Sequence, residues 1–150
     1  MISLKDVLYD IRLDKKHYSI FSLKFIYLVF YRIDYYLRHS YLKYIRFYIF
    51  TTILKKFFEY ILQIEIANYT PNLYVKGGLF LNHNCKIVYA NIGYNCIINA
   101  FVNIGATGRR NKKTNSKYPK IGNNCIIGAN ATILGPIEIG DNVIIGGVQL

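Results

Sequence analysis

The sequence predicts a mainly β fold, a parallel β-helix preceded by an α-helical segment, and three observations carry that expectation. Ile121, Ile127, Ile133, Ile139 and Ile145 stand six residues apart, and four of them are followed by Gly122, Gly128, Gly140 and Gly146. The same register runs back through Ile104, Ile98 and Ile92 and then, after one five-residue step, through Ile87, Leu81 and Val75. Residues 1–63, by contrast, contain neither Gly nor Pro. A period of six matches neither a helix face nor an alternating strand, and a strict fixed period marks a solenoid.

The N-terminal segment, 1–63, reads as three aromatic-rich helices over about 5–14, 20–39 and 41–62. Ile26, Phe30, Ile33 and Leu37 form one stripe and Phe47, Phe50, Leu54, Phe57 and Ile61 another, each stepping by three or four. Such stripes are expected to face the core or a partner. Eleven of the nineteen basic residues lie here, which gives the helices basic outer faces. From Pro71 onward the composition shifts to Gly, Asn, Ile and Val, so the repeat domain is assigned to 64–150.

Within each hexad the aliphatic anchor points inward, the next residue is small because the chain turns a corner, and the fifth place supplies a second, smaller inward contact. Three hexads make one turn of a triangular prism. Asn and Gly suit its corners because both tolerate positive φ. The register has one long break, between Ile104 and Ile121, so residues 108–120 loop out of the prism. Loops carried by a rigid scaffold are where chemistry concentrates. Counted from Ile121, the chain stops at Leu150 two faces into a three-faced turn, which reads as a C-terminally shortened prism.

Composition bounds the partners. A chain of 150 residues holds one core plus a small helical appendage. Its 19 Lys and Arg against 8 Asp and Glu give +11, which favours anions. Cys85, Cys96 and Cys125 show no CxxC spacing and each falls four places after an anchor, so all three read as buried packing residues. Reduced thiols suit the cytoplasm. The N-terminus carries Lys5, Asp6, Asp10, Arg12 and Asp14, unlike a secretory signal, and the uncharged apolar stretches at 25–31 and 47–54 are too short to span a bilayer.

His83 is the single histidine of the repeat region. Two places after Leu81 it points out of the prism, where a neutral imidazole can serve as general base toward a hydroxyl. The run Gly77-Gly78-Leu79-Phe80-Leu81-Asn82-His83, followed by Ile87-Val88, resembles the Gly-Leu-x-Ile-x-His segment of hexapeptide-repeat acetyltransferases, in the branch of serine O-acetyltransferases and capsule-sugar O-acetyltransferases. Val102-Asn103-Ile104-Gly105-Ala106-Thr107-Gly108, Tyr118-Pro119-Lys120-Ile121-Gly122 and Ile127-Gly128-Ala129-Asn130-Ala131 resemble later coils of that family. Tyr31-Arg32-Ile33 and Ile64-Glu65-Ile66 are similar too.

The resemblance implies a left-handed β-helix, a homotrimer, and direct acetyl transfer from acetyl-CoA lying between neighbouring prisms to the hydroxyl of a small acceptor. His83 matches the catalytic histidine, and Glu65, with three extra residues before the histidine segment, matches the carboxylate that orients it. Backbone N–H groups near Gly105, Ala106 and Thr107 would stabilise the oxyanion. Gly128, Ala129, Gly146 and Gly147 match positions along which the pantetheine arm lies. The acceptor side maps to Asn82, Arg109, Lys117 and Tyr118.

Two departures bear on the acceptor. Serine-specific members place Asp before the catalytic histidine and Arg-His before Pro-Lys-Ile; this chain has Asn82 and Lys117-Tyr118. Pairing an amino acid's ammonium and carboxylate is weakened by both changes, which shifts weight from L-serine toward a sugar hydroxyl of a surface polysaccharide and leaves both open. A different class also stays open, an inactive shortened prism with an assembly role. The basic aromatic helices would further suit peripheral membrane contact. Nucleic acid is not expected, because the basic loop offers only Tyr118 for stacking. No metal is expected either, since one repeat-region histidine cannot build the several-histidine zinc site of related prisms.

Overall fold

The computed structural model describes residues 3–39, 45–67, 70, 72–110 and 116–147. The Pro71 boundary, the loop tip at 111–115 and Leu150 lie outside the described residues. Helix α1 (Leu4–Asp14) opens on a capping box in which Ser3 Oγ accepts from Asp6 N–H at 3.2 Å and the Asp6 carboxylate accepts from Ser3 N–H at 2.8 Å. Helices α2 (Leu23–His39) and α3 (Ile45–Leu62) follow. Among the described residues no helix is long and apolar enough to cross a membrane.

Eleven short strands then wind a left-handed prism: β1 (Glu65–Ala67), β2 (Phe80–Leu81), β3 (Lys86–Val88), β4 (Asn91–Ile92), β5 (Ile97–Ile98), β6 (Asn103–Gly105), β7 (Lys120–Ile121), β8 (Ile126–Ile127), β9 (Thr132–Leu134), β10 (Glu138–Ile139) and β11 (Ile144–Ile145). All pairings are parallel. They form three faces: A with order β1-β3-β6-β9, B with β4-β7-β10 and C with β2-β5-β8-β11. Val75 bridges to Ile92 at the start of face B.

The hexad anchors behave as their spacing requires. Val75, Leu81, Ile87, Ile92, Ile98, Ile104, Ile121, Ile127 and Ile133 are buried, with Ile139 and Ile145 packed against them. The fifth-place residues Cys85, Cys96, Val102, Cys125 and Ala131, with Ala90 at the fourth place of the five-residue step, fill the space between. The three cysteines are free and buried, and each thiol points at a corner carbonyl of the next coil, Cys85 to Asn99 O at 3.0 Å, Cys96 to Gly122 O at 3.3 Å and Cys125 to Gly140 O at 3.2 Å. Asn95, Asn124 and Asn142 stack at one corner with φ of 55°, 55° and 59° and link side chain to side chain. Asn is the residue that tolerates this left-handed conformation while bonding locally.

The first coil presents an open edge of peptide groups, and the helices close it. Tyr27 Oη accepts from Ile66 N–H at 2.9 Å, Asp10 Oδ1 from Gly77 N–H at 2.9 Å and Asp14 Oδ1 from Leu79 N–H at 3.0 Å, while Tyr18 Oη accepts from Leu81 N–H. Arg32, fully buried, spends all five donors: Nε and Nη2 on Asp14 at 2.6 and 3.1 Å, Nη1 on Val75 O at 2.7 Å and Tyr74 Oη at 3.2 Å, and Nη2 again on Lys76 O at 3.1 Å. Gly77 has to be glycine, because a Cβ there would strike the Asp10 backbone and carboxylate.

This polar seam, and not the expected apolar stripes, is what the helices turn toward the core of this chain. α2 buries Tyr27, Leu28, Tyr31, Arg32, Asp34 and Tyr35, and Ile26, Phe30, Ile33 and Leu37 sit only half-buried. Among the described side chains of α3 the buried ones are Thr51, Lys55 and Glu59, whereas Phe50, Phe57 and Ile61 are exposed and Leu54 half-buried. The side chain of Phe47 lies outside the described residues. The physical reason is the surface each helix meets. α2 faces peptide groups that need donors and acceptors, and α3 meets the polar flank of α2, where Thr52 Oγ1 donates to Asp34 at 2.6 Å and Tyr27 Oη to Glu59 at 3.3 Å.

Burial pushes the Asp10 carboxyl above its usual range, opposed by Arg32 and the Tyr74 hydroxyl. For Arg32 burial is the largest single influence and works against the charge, and the Asp14 carboxylate, the Tyr74 hydroxyl and the Asp10 carboxylate together outweigh it, so the guanidinium is held more firmly protonated than usual. Replacing Arg32 with Ala would strand the buried Asp14 carboxylate and two carbonyls. The expected loss is about 3–5 kcal/mol, read as the shift in urea midpoint or as failure to fold.

Burial raises the Cys96 thiol to about 11 and the Tyr18 and Tyr35 phenols to about 12, from 9.0 and 10.0. Each folded-state value is raised, so the unfolded chain releases these protons first. Their contribution is complete below about pH 9 and is lost as pH rises toward 11–12. The melting temperature, followed by circular dichroism, is expected to fall progressively above pH 9, and Cys96→Ala to blunt the first part of that fall.

Candidate active site

His83 sits exposed at the corner where face C turns into face A, between β2 and β3. Its position is fixed from both sides. Two residues earlier Leu81 is held to Tyr18, and the His83 carbonyl accepts from Phe101 N–H at 3.2 Å on the next coil. Asn82 Oδ1 accepts from the His83 backbone N–H at 3.2 Å, which settles the orientation of the amide, and the same oxygen lies 3.1 Å from His83 Nδ1. An amide oxygen only accepts, so this contact suits a proton on Nδ1, an arrangement that in the neutral ring leaves the lone pair on Nε2.

Strand register places a column of small residues beneath this histidine. The pairs Leu81↔Ile98, Ile98↔Ile127 and Ile127↔Ile145 put His83, Ala100, Ala129 and Gly147 in line. Asn82, Asn99, Gly128 and Gly146 form the neighbouring line. Gly128 and Gly147 pack so closely that a Cβ on Gly128 would clash with Gly147 N, and one on Gly147 would meet Ala129 O at 2.5 Å; Gly146 faces open space. The four candidate cofactor positions thus form a smooth strip of backbone running down the corner from His83. That strip suits an extended pantetheine-like chain, although coil stacking alone already requires the two packed glycines.

Face A runs from this corner to the next. On it lies an open groove of ≈ 260 Å³ floored by Lys86, Val88, Asn103, Gly105 and Leu134, with Tyr89 and Ala106 at its far end. Gly105, Ala106 and Thr107 therefore stand at the opposite end of face A from His83. The Ala106 N–H is committed to Val88 O at 3.3 Å, so it is not a free oxyanion donor within this chain. Thr107 Oγ1 accepts from Arg109 N–H at 3.4 Å, and Arg109 is exposed. Lys117 is half-buried, and Tyr118 stacks on Tyr89 with centroids 6.0 Å apart and planes at 28°.

Glu65 lies on β1, paired with Lys86, in the outward row of face A that continues through Asn103 and Thr132. No hydrogen bond joins its carboxylate to His83. The partner of Nδ1 is Asn82, which the sequence places on the acceptor side, so within one chain the orienting group is a neutral amide. Sequence reasoning also passed over Phe101, whose ring meets His83 edge to face with centroids 5.4 Å apart at 84°. The signal was available: Phe101 occupies the slot that Asn84 and Asn130 fill in adjacent coils.

Comparison with known proteins agrees with this architecture. Residues 118–147 match the bacterial transferase hexapeptide family (six repeats). A serine acetyltransferase of Helicobacter pylori is 35% identical over 104 residues, 67% of this chain and 57% of the relative. One from Synechococcus elongatus is 37% identical over 79 residues, 51% of this chain and 31% of the relative. Among solved structures, serine acetyltransferase isoform 3 from Entamoeba histolytica, in complex with cysteine, is 26% identical with a TM-score of 0.64, covering 95% of this chain and 51% of that one. The Neisseria gonorrhoeae serine acetyltransferase is 25% identical with a TM-score of 0.64, covering 95% and 56%. The chain thus spans less than two thirds of the length of any of these four proteins.

Parallel three-faced coils with aliphatic anchors every six residues define a hexapeptide-repeat, left-handed β-helix protein. Over its repeat region and helical cap the chain is similar to serine acetyltransferases, of which it spans a part.

Proposed function

We propose that this chain is an acetyl-CoA-dependent O-acetyltransferase acting on the hydroxyl of a small acceptor. The observation that carries the proposal is the setting of His83: an exposed imidazole whose Nδ1 lies 3.1 Å from Asn82 Oδ1, at the head of a smooth corner strip. In the proposed reaction Nε2 takes the proton of the acceptor hydroxyl as its oxygen attacks the thioester carbonyl. The C–O bond forms, the C–S bond breaks, and the CoA thiolate recovers a proton from the imidazolium. Ala129, Gly146 and Gly147 would lie along the pantetheine arm, and Arg109 and Lys117 would meet phosphates or an anionic acceptor.

The relatives are serine acetyltransferases, which supports L-serine as one acceptor class. Asn82 stands where serine-specific members place Asp, and Lys117-Tyr118 where they place Arg-His, and these departures favour an uncharged or acidic sugar hydroxyl as the other. A homotrimer accounts for the separation of His83 from Gly105, Thr107 and Arg109 along face A: packing the far corner of one prism against the His83 corner of its neighbour would complete the site.

A thiol-release assay with acetyl-CoA, L-serine and a panel of methyl hexopyranosides tests the proposal. His83→Ala is expected to lower turnover by about 10²–10⁴-fold and Asn82→Ala by about tenfold through a misoriented ring, both with unchanged melting temperature. Equal CoA release by wild type and His83→Ala would overturn it.

A further inference from the structure

We propose that Phe101 is a specificity-determining residue that gives the His83 corner an aromatic wall and selects a pyranose acceptor over a free amino acid. The inference rests on the acetyl-transfer assignment above and adds to it the class of acceptor.

Phe101 is held in an unfavourable conformation. Its φ is 61°, in the left-handed region, and register aligns it with Asn84 above and Asn130 below, at φ of 55° and 62°. Two coils thus use Asn at this slot, and the coil between them carries a bulky aromatic residue, for which positive φ is a genuine outlier. Burial does not explain the choice, since Phe101 is 48% exposed. Strain of this kind persists where the surroundings hold it in place, and it clusters at functional sites.

What the ring does touch is His83, edge to face at 5.4 Å between centroids. An acceptor hydroxyl giving its proton to Nε2 has to come within about 3 Å of that atom, so the body of the acceptor passes within reach of the exposed part of the Phe101 ring. The neighbouring residues of these corner lines, Asn82, Asn84, Asn99, Ala100 and Asn130, include no carboxylate to pair an ammonium. Amides that both donate and accept, set beside a π-face whose negative quadrupole attracts polarised C–H groups, match a pyranose: hydroxyls at its rim, C–H bonds on its face. They match a zwitterionic amino acid poorly.

The test compares wild type with Phe101→Asn, Phe101→Trp and Phe101→Tyr as full chains, using acetyl-CoA with L-serine and with methyl hexopyranosides. Asn adopts the left-handed corner freely, so Phe101→Asn is expected to melt no lower than wild type. It should lose about tenfold in kcat/KM for the pyranoside, chiefly through KM, while the KM for acetyl-CoA is unchanged and serine turnover does not fall. The Trp and Tyr variants should keep the pyranoside preference. If Phe101→Asn leaves the pyranoside-to-serine ratio unaltered, or melts several degrees lower and loses both acceptors equally, the ring serves packing and the proposal is overturned. Wild type that releases no CoA with any acceptor would instead sink acetyl transfer itself, and the acceptor assignment with it, an outcome visible before any Phe101 variant is assayed.

Discussion

Everything downstream in this molecule depends on closing the open edge of the first coil. A parallel β-helix satisfies each coil with the next, so its first turn has peptide groups that no strand pairs. Here the solution is a buried ionic knot. Arg32 reaches through the seam to two carbonyls while Asp14 and Asp10 hold two amides. A buried charge is costly unless every lone pair and proton is matched, and this network matches them: the guanidinium has five bonds, and Asp14 accepts three. Such a network specifies one placement of the helices on the prism, because any slip would leave several desolvated groups unpaired at once.

His83 inherits that precision. It closes the first coil and lies two residues beyond the Leu81 peptide that Tyr18 anchors. The imidazole is therefore positioned by the helical cap above and by the second coil below, through the bond from Phe101 N–H. The αL corners sharpen the picture. Asn fills five of the described positions with positive φ, the low-strain choice, and the aromatic exceptions Tyr89 and Phe101 both abut residues assigned to the candidate site, Tyr118 and His83.

The prism was legible because its anchors repeat: an inward aliphatic every six residues is an unambiguous period, and the five-residue step from Ile87 to Ile92 coincides with the Tyr89 corner. The helices were legible as helices but not in their facing. Ile26, Phe30, Ile33 and Leu37 form a correct amphipathic period, yet burial follows Tyr27, Tyr31, Arg32 and Tyr35, because hydrophobic periodicity cannot announce that the surface to be covered is polar. The site was half legible. His83 stood out by residue type and by resemblance, whereas its Asn82 partner is a neighbour in sequence whose side chain happens to turn back. The separation of Gly105 and Thr107 from His83 depends on which corners the strands join, and spacing alone does not reveal that.

The loop that interrupts the repeat leaves no trace in the ladder. Ile92 pairs with Ile121 in the same register that joins Ile121 to Ile139, as if nothing intervened. The flanking strands thus keep one register across the insertion, while Tyr118 near its end rests on the Tyr89 corner. Chains built this way can diversify what they bind on the timescale of loop substitution while the reacting centre stays fixed. Within this architecture a new substrate preference need not begin with a loss of stability.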